Sequence, residues 1–306
     1  MVYLTLFNTK QFTNFTQISP KPKLYKMILF IVIIGIIIIL GLTYAWLYRK
    51  VSKHIPENYP NAQNRQQIDV SKKVLVCLGD SNTHGNVSYN WVNDLSSQLT
   101  DYQVFNAGIN SDLTYTLLRR INDVIACKPD FITILIGTND VNATMGKVME
   151  KRYQDLGRIS KSTSPNFEDF KKNYSEIIHQ LKNKTQAKIA VMSLPVMGED
   201  LAHEANQKAD KYSEFVKQLA DDEQLIYLPV REKQKEFLQK NPQPLKHTFE
   251  ETYKLLNFSV IGYYLFGKSW DEITNKHGFQ LTPDNLHQNS IAGGMIRDLV
   301  MQSIQS

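Results

Sequence analysis

Cysteine is scarce in this chain, and what there is forms no ligand pattern. Cys77 and Cys127 are the only two, and neither a CxxC nor an HxxH spacing occurs, so no metal site is expected. Both read as small buried apolar residues, and two cysteines leave the compartment open. No internal repeat is present, which sets aside solenoid and propeller architectures. Acidic residues are missing from the amino-terminal part, where none precedes Glu57. Residues 1–50 carry six bases (Lys10, Lys21, Lys23, Lys26, Arg49, Lys50) and no acid. The formal net charge of +5 therefore misleads, because the remainder holds 29 bases against 30 acids. A main body that is nearly neutral argues against nucleic acid as substrate or partner.

What is present is ordinary globular composition: 306 residues, 42% hydrophobic and 21% charged, enough for one large core. One stretch stands apart. Met27 to Tyr48 carries no charge, and as a helix it spans roughly 33 Å, enough to cross the hydrocarbon of a bilayer. Tyr44, Trp46 and Tyr48 at its end suit an interfacial aromatic belt. Arg49-Lys50 follow with no small-residue cleavage site, which favours an uncleaved anchor over a removable signal peptide. Lys10, Lys21, Lys23 and Lys26 on one flank balance Arg49, Lys50, Lys53 and Arg65 on the other. The charge rule therefore leaves open which side the main body faces. Residues 1–26 read as a polar segment, 27–48 as the anchor, 49–71 as a linker rich in Asn, Gln and Pro, and 72–306 as the folded domain.

From Lys72 onward apolar runs alternate with helical patterns. Strands are expected at Val74–Leu78, around Val104-Phe105, at Phe131–Ile136, Lys188–Leu194 and Leu225–Leu228. Helices are expected at about 91–99, from a cap at Asp112 through Ile125, at Phe167–Leu181, about 203–222 and Ser290–Ile304. Such alternation implies a parallel sheet covered on both faces, with ligand sites at the carboxyl ends of the strands. Gly79-Asp80-Ser81, Asn106-Ala107-Gly108 and Gly137-Thr138-Asn139 each follow an expected strand at that edge. Residues 242–280 interrupt the alternation with many aromatic and aliphatic side chains. They could line an acyl pocket, dip into a bilayer, or fill a secondary core.

The loops carry a coherent chemistry. Ser81 is a weak nucleophile until a base takes its proton, and His287 is the favoured base. Asp284, three residues earlier, is placed to hold the imidazole tautomer. The backbone N–H groups of Ser81 and Gly108 and the amide of Asn139 are candidate donors to a tetrahedral oxyanion. Singly, each has a bland reading: Gly-Asp-Ser and Gly-Thr-Asn-Asp occur in turns, Gly108 suits a tight turn, and Asp-x-x-His is common in surface loops. All four in order are what acyl transfer from an ester requires. His84 reads as a rim residue beside the nucleophile, and Asp80 and Asp140 read as loop organisers.

The blocks GDSNTHG (79–85), NAGINS (106–111), GTND (137–140) and DNLH (284–287) resemble, in type and order, those of the SGNH hydrolases, also called the GDSL esterase/lipase family. The resemblance covers about residues 72–306. It implies a three-layer α/β/α sandwich with a parallel, flavodoxin-like sheet. It also implies Ser81 as nucleophile, Asp284 and His287 completing the triad, an oxyanion hole of Ser81, Gly108 and Asn139, and no metal or cofactor. Asn82 replaces the leucine of the family name, at a position that does no chemistry. The expected activity is hydrolysis of a small-molecule, lipid or glycan acyl or acetyl ester through an acyl-enzyme. Transfer of the acyl group to a sugar, or a tethered binding module without catalysis, are the alternatives.

Overall fold

The computed structural model describes residues 22–305. The polar segment expected over 1–26 lies outside the described residues as far as residue 21. The chain divides into two compact units at Trp46 and Leu47. Helix α1 (Pro22–Tyr48) starts five residues before the apolar run read from the sequence. Its large apolar side chains are exposed along almost its whole length. Among the described residues, the stretch Lys23–Lys53 is the one helix long and apolar enough to be a candidate membrane span.

The second unit is built on strands β1 (Lys73–Gly79), β2 (Tyr102–Gly108), β3 (Phe131–Leu135), β4 (Lys188–Met192) and β5 (Ile226–Leu228). All neighbours pair in parallel, in the order β2-β1-β3-β4-β5. This is the flavodoxin-like order, which needs a crossover after every strand. Helix α2 (Ala62–Arg65) precedes β1, and the crossovers carry α3 (Ser81–His84), α4 (Trp91–Gln98), α5 (Thr114–Leu118), α6 (Ile121–Ile125), α7 (Thr138–Ala143), α8 (Lys147–Asp155), α9 (Phe167–Lys184) and α10 (Glu204–Glu223). Then follow α11 (Val230–Lys240), α12 (Thr252–Phe266), α13 (Trp270–His277) and α14 (Ser290–Gln305).

The two faces of β1 show why its apolar run is continuous. Leu75 and Cys77 pack with Trp91, Leu95, Val230, Ile296 and Val300 in one layer. Val74, Val76 and Leu78 pack with α5, α6, α9 and α10 in the other. A strand buried on both sides has no polar face to alternate with. Register aligns Gly79 with Gly108 on one side and Leu135 on the other, so three strands end together. The sequence-expected strands and the helices at 91–98, 167–184, 204–223 and 290–305 are therefore present, within a few residues.

Two expectations need correction. Residues 49–71 are not a free linker. A π-helical turn spans Arg49–Lys53, Tyr59 is buried in the main core, and Tyr59 Oη donates to Asp123 at 3.0 Å. Asn58 Nδ2 donates to Val104 O, Asn86 Nδ2 to Lys50 O at 2.9 Å, and Asn110 Nδ2 to Val51 O at 2.6 Å. Asn58 spends its amide on the backbone of the fold, while Asn86 and Asn110 spend theirs on the backbone of this segment, which composition alone does not reveal. The helix expected from Asp112 to Ile125 is also broken, into α5 and α6. Arg120, at the break, turns back to Asp112, Ala107 O and Gly79 O.

Candidate active site

Ser81 is the first residue of α3, immediately beyond β1 and the capping residue Asp80. The turn is tight: a Cβ on Gly79 would lie 2.2 Å from Thr83 Oγ1 and 2.4 Å from Leu135 O, so only glycine fits. Asp80 Oδ1 accepts the Asn82 N–H at 2.9 Å, which caps the short helix. The Ser81 N–H, as a first-turn donor, has no helical acceptor.

His287 reaches Ser81 from the far end of the chain. Ser81 Oγ lies 3.0 Å from His287 Nε2, and His287 Nδ1 lies 2.7 Å from Asp284 Oδ2. Asp284 Oδ1 accepts the N–H groups of Leu286 and His287, so its carboxylate is held on both oxygens. Asn285 makes this loop possible by adopting φ +74°, a left-handed conformation that Asn tolerates. Its carbonyl accepts the Gly198 N–H at 2.7 Å and its amide donates to Thr248 O. All three groups are buried. Burial disfavours a charged His287, but the Asp284 carboxylate beside it, with Asp80 further off, outweighs burial and raises the imidazole pKa above its ordinary value.

Asn139 sits at the start of α7. Its Nδ2 donates to Asp112 O at 3.0 Å and leans towards Asp80 Oδ2 at 3.3 Å. Its Oδ1 accepts from Tyr153 Oη at 2.6 Å, which fixes the amide's orientation. Asn142 Nδ2 then links Tyr153 Oη, at 3.0 Å, to Tyr253 Oη, at 2.7 Å. Burial pushes the carboxyls of Asp80 and Asp140 up to about 7. Asp140 is held by the N–H and hydroxyl of Thr114, so both aspartates tie loops together.

Ser81, Asn139 and His287 line one cleft of about 280 Å³, together with Ser111, Tyr153 and Tyr253. Tyr48, Val51, Ser52 and Lys53 also line it. A hydroxyl on the cleft wall, a paired imidazole and unspent N–H donors in one cavity are the parts a nucleophilic acyl-transfer centre requires.

Residues 77–265 match the GDSL-like lipase/acylhydrolase family. The chain belongs to that family. It is accordingly a carboxylic ester hydrolase. Solved structures place it in the same fold. The acetyl xylan esterase AlAXEase aligns at 19% identity and a TM-score of 0.53, covering 76% of this chain and 99% of that one. The acetylxylan esterase Axe2 of Geobacillus stearothermophilus aligns at 18% identity and a TM-score of 0.51, covering 78% of this chain and 96% of that one. No curated protein matches the sequence.

The GDSL-like chain differs from the sequence expectation at Gly108. Its N–H is not aimed into the cleft but donates to Asn106 Oδ1 at 2.9 Å. A Cβ there would meet His84 N at 2.2 Å, so this glycine permits the close approach of α3 to β2. Three residues on, Ser111 lines the cleft with φ +61°. Its N–H has no acceptor among the described residues. Nothing in its side chain announces that conformation, since serine is not a usual left-handed residue. His84 is not a rim residue: it is buried, and burial together with His54, whose Nδ1 lies 3.4 Å from His84 Nε2, pushes its pKa down to about 3. Arg120 also escaped the sequence reading. It pairs with Asp112 at 2.7 Å while donating to two strand-end carbonyls, and Arg158 binds the other oxygen of Asp112 at 2.8 Å. A basic residue inside an apolar helical pattern was the available signal.

Proposed function

We propose that the chain is a membrane-anchored serine esterase that removes a short acyl group through an acyl-enzyme. The observation that carries this reading is the line Ser81 Oγ, His287, Asp284, with separations of 3.0 and 2.7 Å. In this scheme Ser81 Oγ attacks the ester carbonyl carbon and passes its proton to His287 Nε2. Negative charge gathers on the former carbonyl oxygen. The Ser81 N–H and the Ser111 N–H receive it, joined by the Asn139 Nδ2 hydrogen released from its longer, 3.3 Å contact to Asp80 Oδ2; Ser111 takes the part first given to Gly108. The C–O bond to the alcohol breaks and the leaving oxygen takes the proton from His287. Water, deprotonated by the same ring, then attacks the acyl-enzyme; the bond from the acyl carbon to Ser81 Oγ breaks, Oγ takes the proton back from His287, and the acid leaves. Asp284 keeps Nδ1 protonated and stabilises the imidazolium.

Substrate size follows from the cleft walls. Ser52, Lys53, Asn110, Arg152, Asp155 and Arg158 make much of the lining polar. A long acyl chain gains little by entering such a cavity, because its transfer from water depends on apolar contact. A hydroxylated carrier such as a glycan suits the same walls, and the structural neighbours are named for acetyl xylan. Residues 27–48 supply the anchor in this reading, and the enzyme begins directly after it.

Two measurements test the proposal. Along a series of p-nitrophenyl esters, kcat/KM should be highest for acetate and fall with chain length; a rise towards long chains would reverse the substrate assignment. Asn139→Ala should lower kcat about 10²- to 10³-fold, with KM little changed, as for loss of one oxyanion donor. Unchanged kcat would remove Asn139 from the hole.

A further inference from the structure

Helix α12 turns an apolar stripe to solvent. Phe258, Ile261, Leu265 and Phe266 are exposed, Phe266 to 72%. They recur at i, i+3, i+7 and i+8, one face of a helix. Leu255, Ser259 and Val260 face inward and are buried. Between Lys254 and Lys268 the chain carries no charge at all. A soluble surface helix shows the reverse pattern, with its polar side outward.

What covers this stripe is set by its neighbours. Tyr264 Oη donates to Asn86 O at 2.8 Å, and Asn86 Nδ2 donates to Lys50 O at 2.9 Å. One residue thus ties α12 to the segment that follows the apolar run. Lys50 is four residues beyond Trp46, a reach of at most about 14 Å of chain. The stripe is therefore held near the point where the chain would leave a bilayer. Tyr263 stacks on Trp270 with centroids 4.2 Å apart, adding aromatic rings of the kind that settle at headgroup depth. Lys254 and Lys268 are paired with Glu251 and Glu272, so the ends of the stripe bring little net charge.

We infer that α12 is a second, monotopic membrane contact. It lies in the interface with Phe258, Ile261, Leu265 and Phe266 in the acyl boundary. The inference rests on the anchor reading of residues 27–48. Because Tyr253 and Leu256 of the same helix line the cleft, the lipid surface borders the active site. The contact is apolar rather than electrostatic, so it should be indifferent to the anionic lipid content.

The test uses the full chain in vesicles of phosphatidylcholine, with and without phosphatidylglycerol. The native thiols do not interfere, since burial pushes Cys77 and Cys127 up to about 12. Single substitutions Phe258→Cys, Phe266→Cys, Ile38→Cys and Lys188→Cys are labelled with an environment-sensitive fluorophore. Lys188 opens β4 at the amino-terminal ends of the strands, whereas Ser81 follows the carboxyl end of β1. Hydrolysis of a soluble aryl acetate confirms that each variant is folded. With spin-labelled lipids carrying the label at a shallow and at a deep acyl position added, emission should be lost to the shallow label at Phe258→Cys and Phe266→Cys and to the deep label at Ile38→Cys, but kept at Lys188→Cys, equally in both lipid mixtures. Quenching at Ile38→Cys without quenching on α12 overturns the inference and leaves the anchor standing. No quenching at Ile38→Cys removes the anchor reading and this inference with it. Cross-linking between two copies through Phe266→Cys, without quenching, assigns the stripe to a second chain and also overturns it.

Discussion

Ser81→Ala should abolish turnover: kcat is expected to fall about 10⁶-fold, and labelling by a fluorophosphonate to disappear. The size of the effect follows from what the oxygen does. The hydroxyl is the only group in the proposed mechanism that bonds to the acyl carbon, and nothing else in the cleft can replace it. The residual rate comes from N–H donors that still polarise a bound ester and from water beside His287. The fold should be little disturbed, because among the described residues Oγ makes a single side-chain hydrogen bond, to His287 at 3.0 Å. Thermal unfolding of the variant close to that of the wild type, with activity gone, is the expected pair of results. A variant keeping more than a small fraction of wild-type kcat would place the nucleophile elsewhere.

Asp284→Asn should cost about 10⁴-fold in kcat. The amide can turn its NH2 towards Nδ1, which then becomes the unprotonated nitrogen. The proton moves to Nε2 and points at Ser81 Oγ, so the ring can no longer accept the hydroxyl proton. The pH profile gives an independent readout. His287 must be neutral to act as base, so kcat/KM rises with pH through the ring's pKa. In the wild type that inflection lies above the ordinary value of 6.5, because the attraction of Asp284 and Asp80 exceeds the cost of burial. Asp284→Asn removes the larger attraction, so the inflection moves down. The ion pair also stabilises the fold fully below the ring's ordinary pKa, and this contribution is lost as pH rises through the raised value. An inflection that stays in place would show that another group supplies the base.

Much of the fold was legible because its signals are local. A strand covered on both faces must be apolar throughout, and β1, β3 and β4 each read that way. The candidate site was legible where chemistry is written in side chains: Ser81, Asp284 and His287 were read together from the sequence, and in the fold His287 lies within hydrogen-bond distance of the other two. It failed where the backbone does the work. In NAGINS the glycine draws attention, yet Gly108 is small so that α3 can pack against β2, and the free N–H belongs to Ser111. Side-chain identity says little about which N–H is left unspent. The break between α5 and α6 was hidden for a related reason. The apolar spacing continues across it, and only the distant carbonyls of Gly79 and Ala107 explain why Arg120 turns inward. Tyr153 was equally silent, since its role is to hold Asn139 through a bond that exists only in three dimensions.

The clamps on Lys50 and Val51 set where this protein is modular. In the proposed anchored reading, the stretch upstream of Trp46 serves through its length and hydropathy. Downstream, Asn86 and Asn110 grip particular carbonyls, and Tyr48, Val51, Ser52 and Lys53 form part of the wall of the candidate cleft. A graft that exchanged the tether at position 71 would carry off part of the enzyme. The seam at which tether and enzyme can be parted lies instead between Trp46 and Leu47.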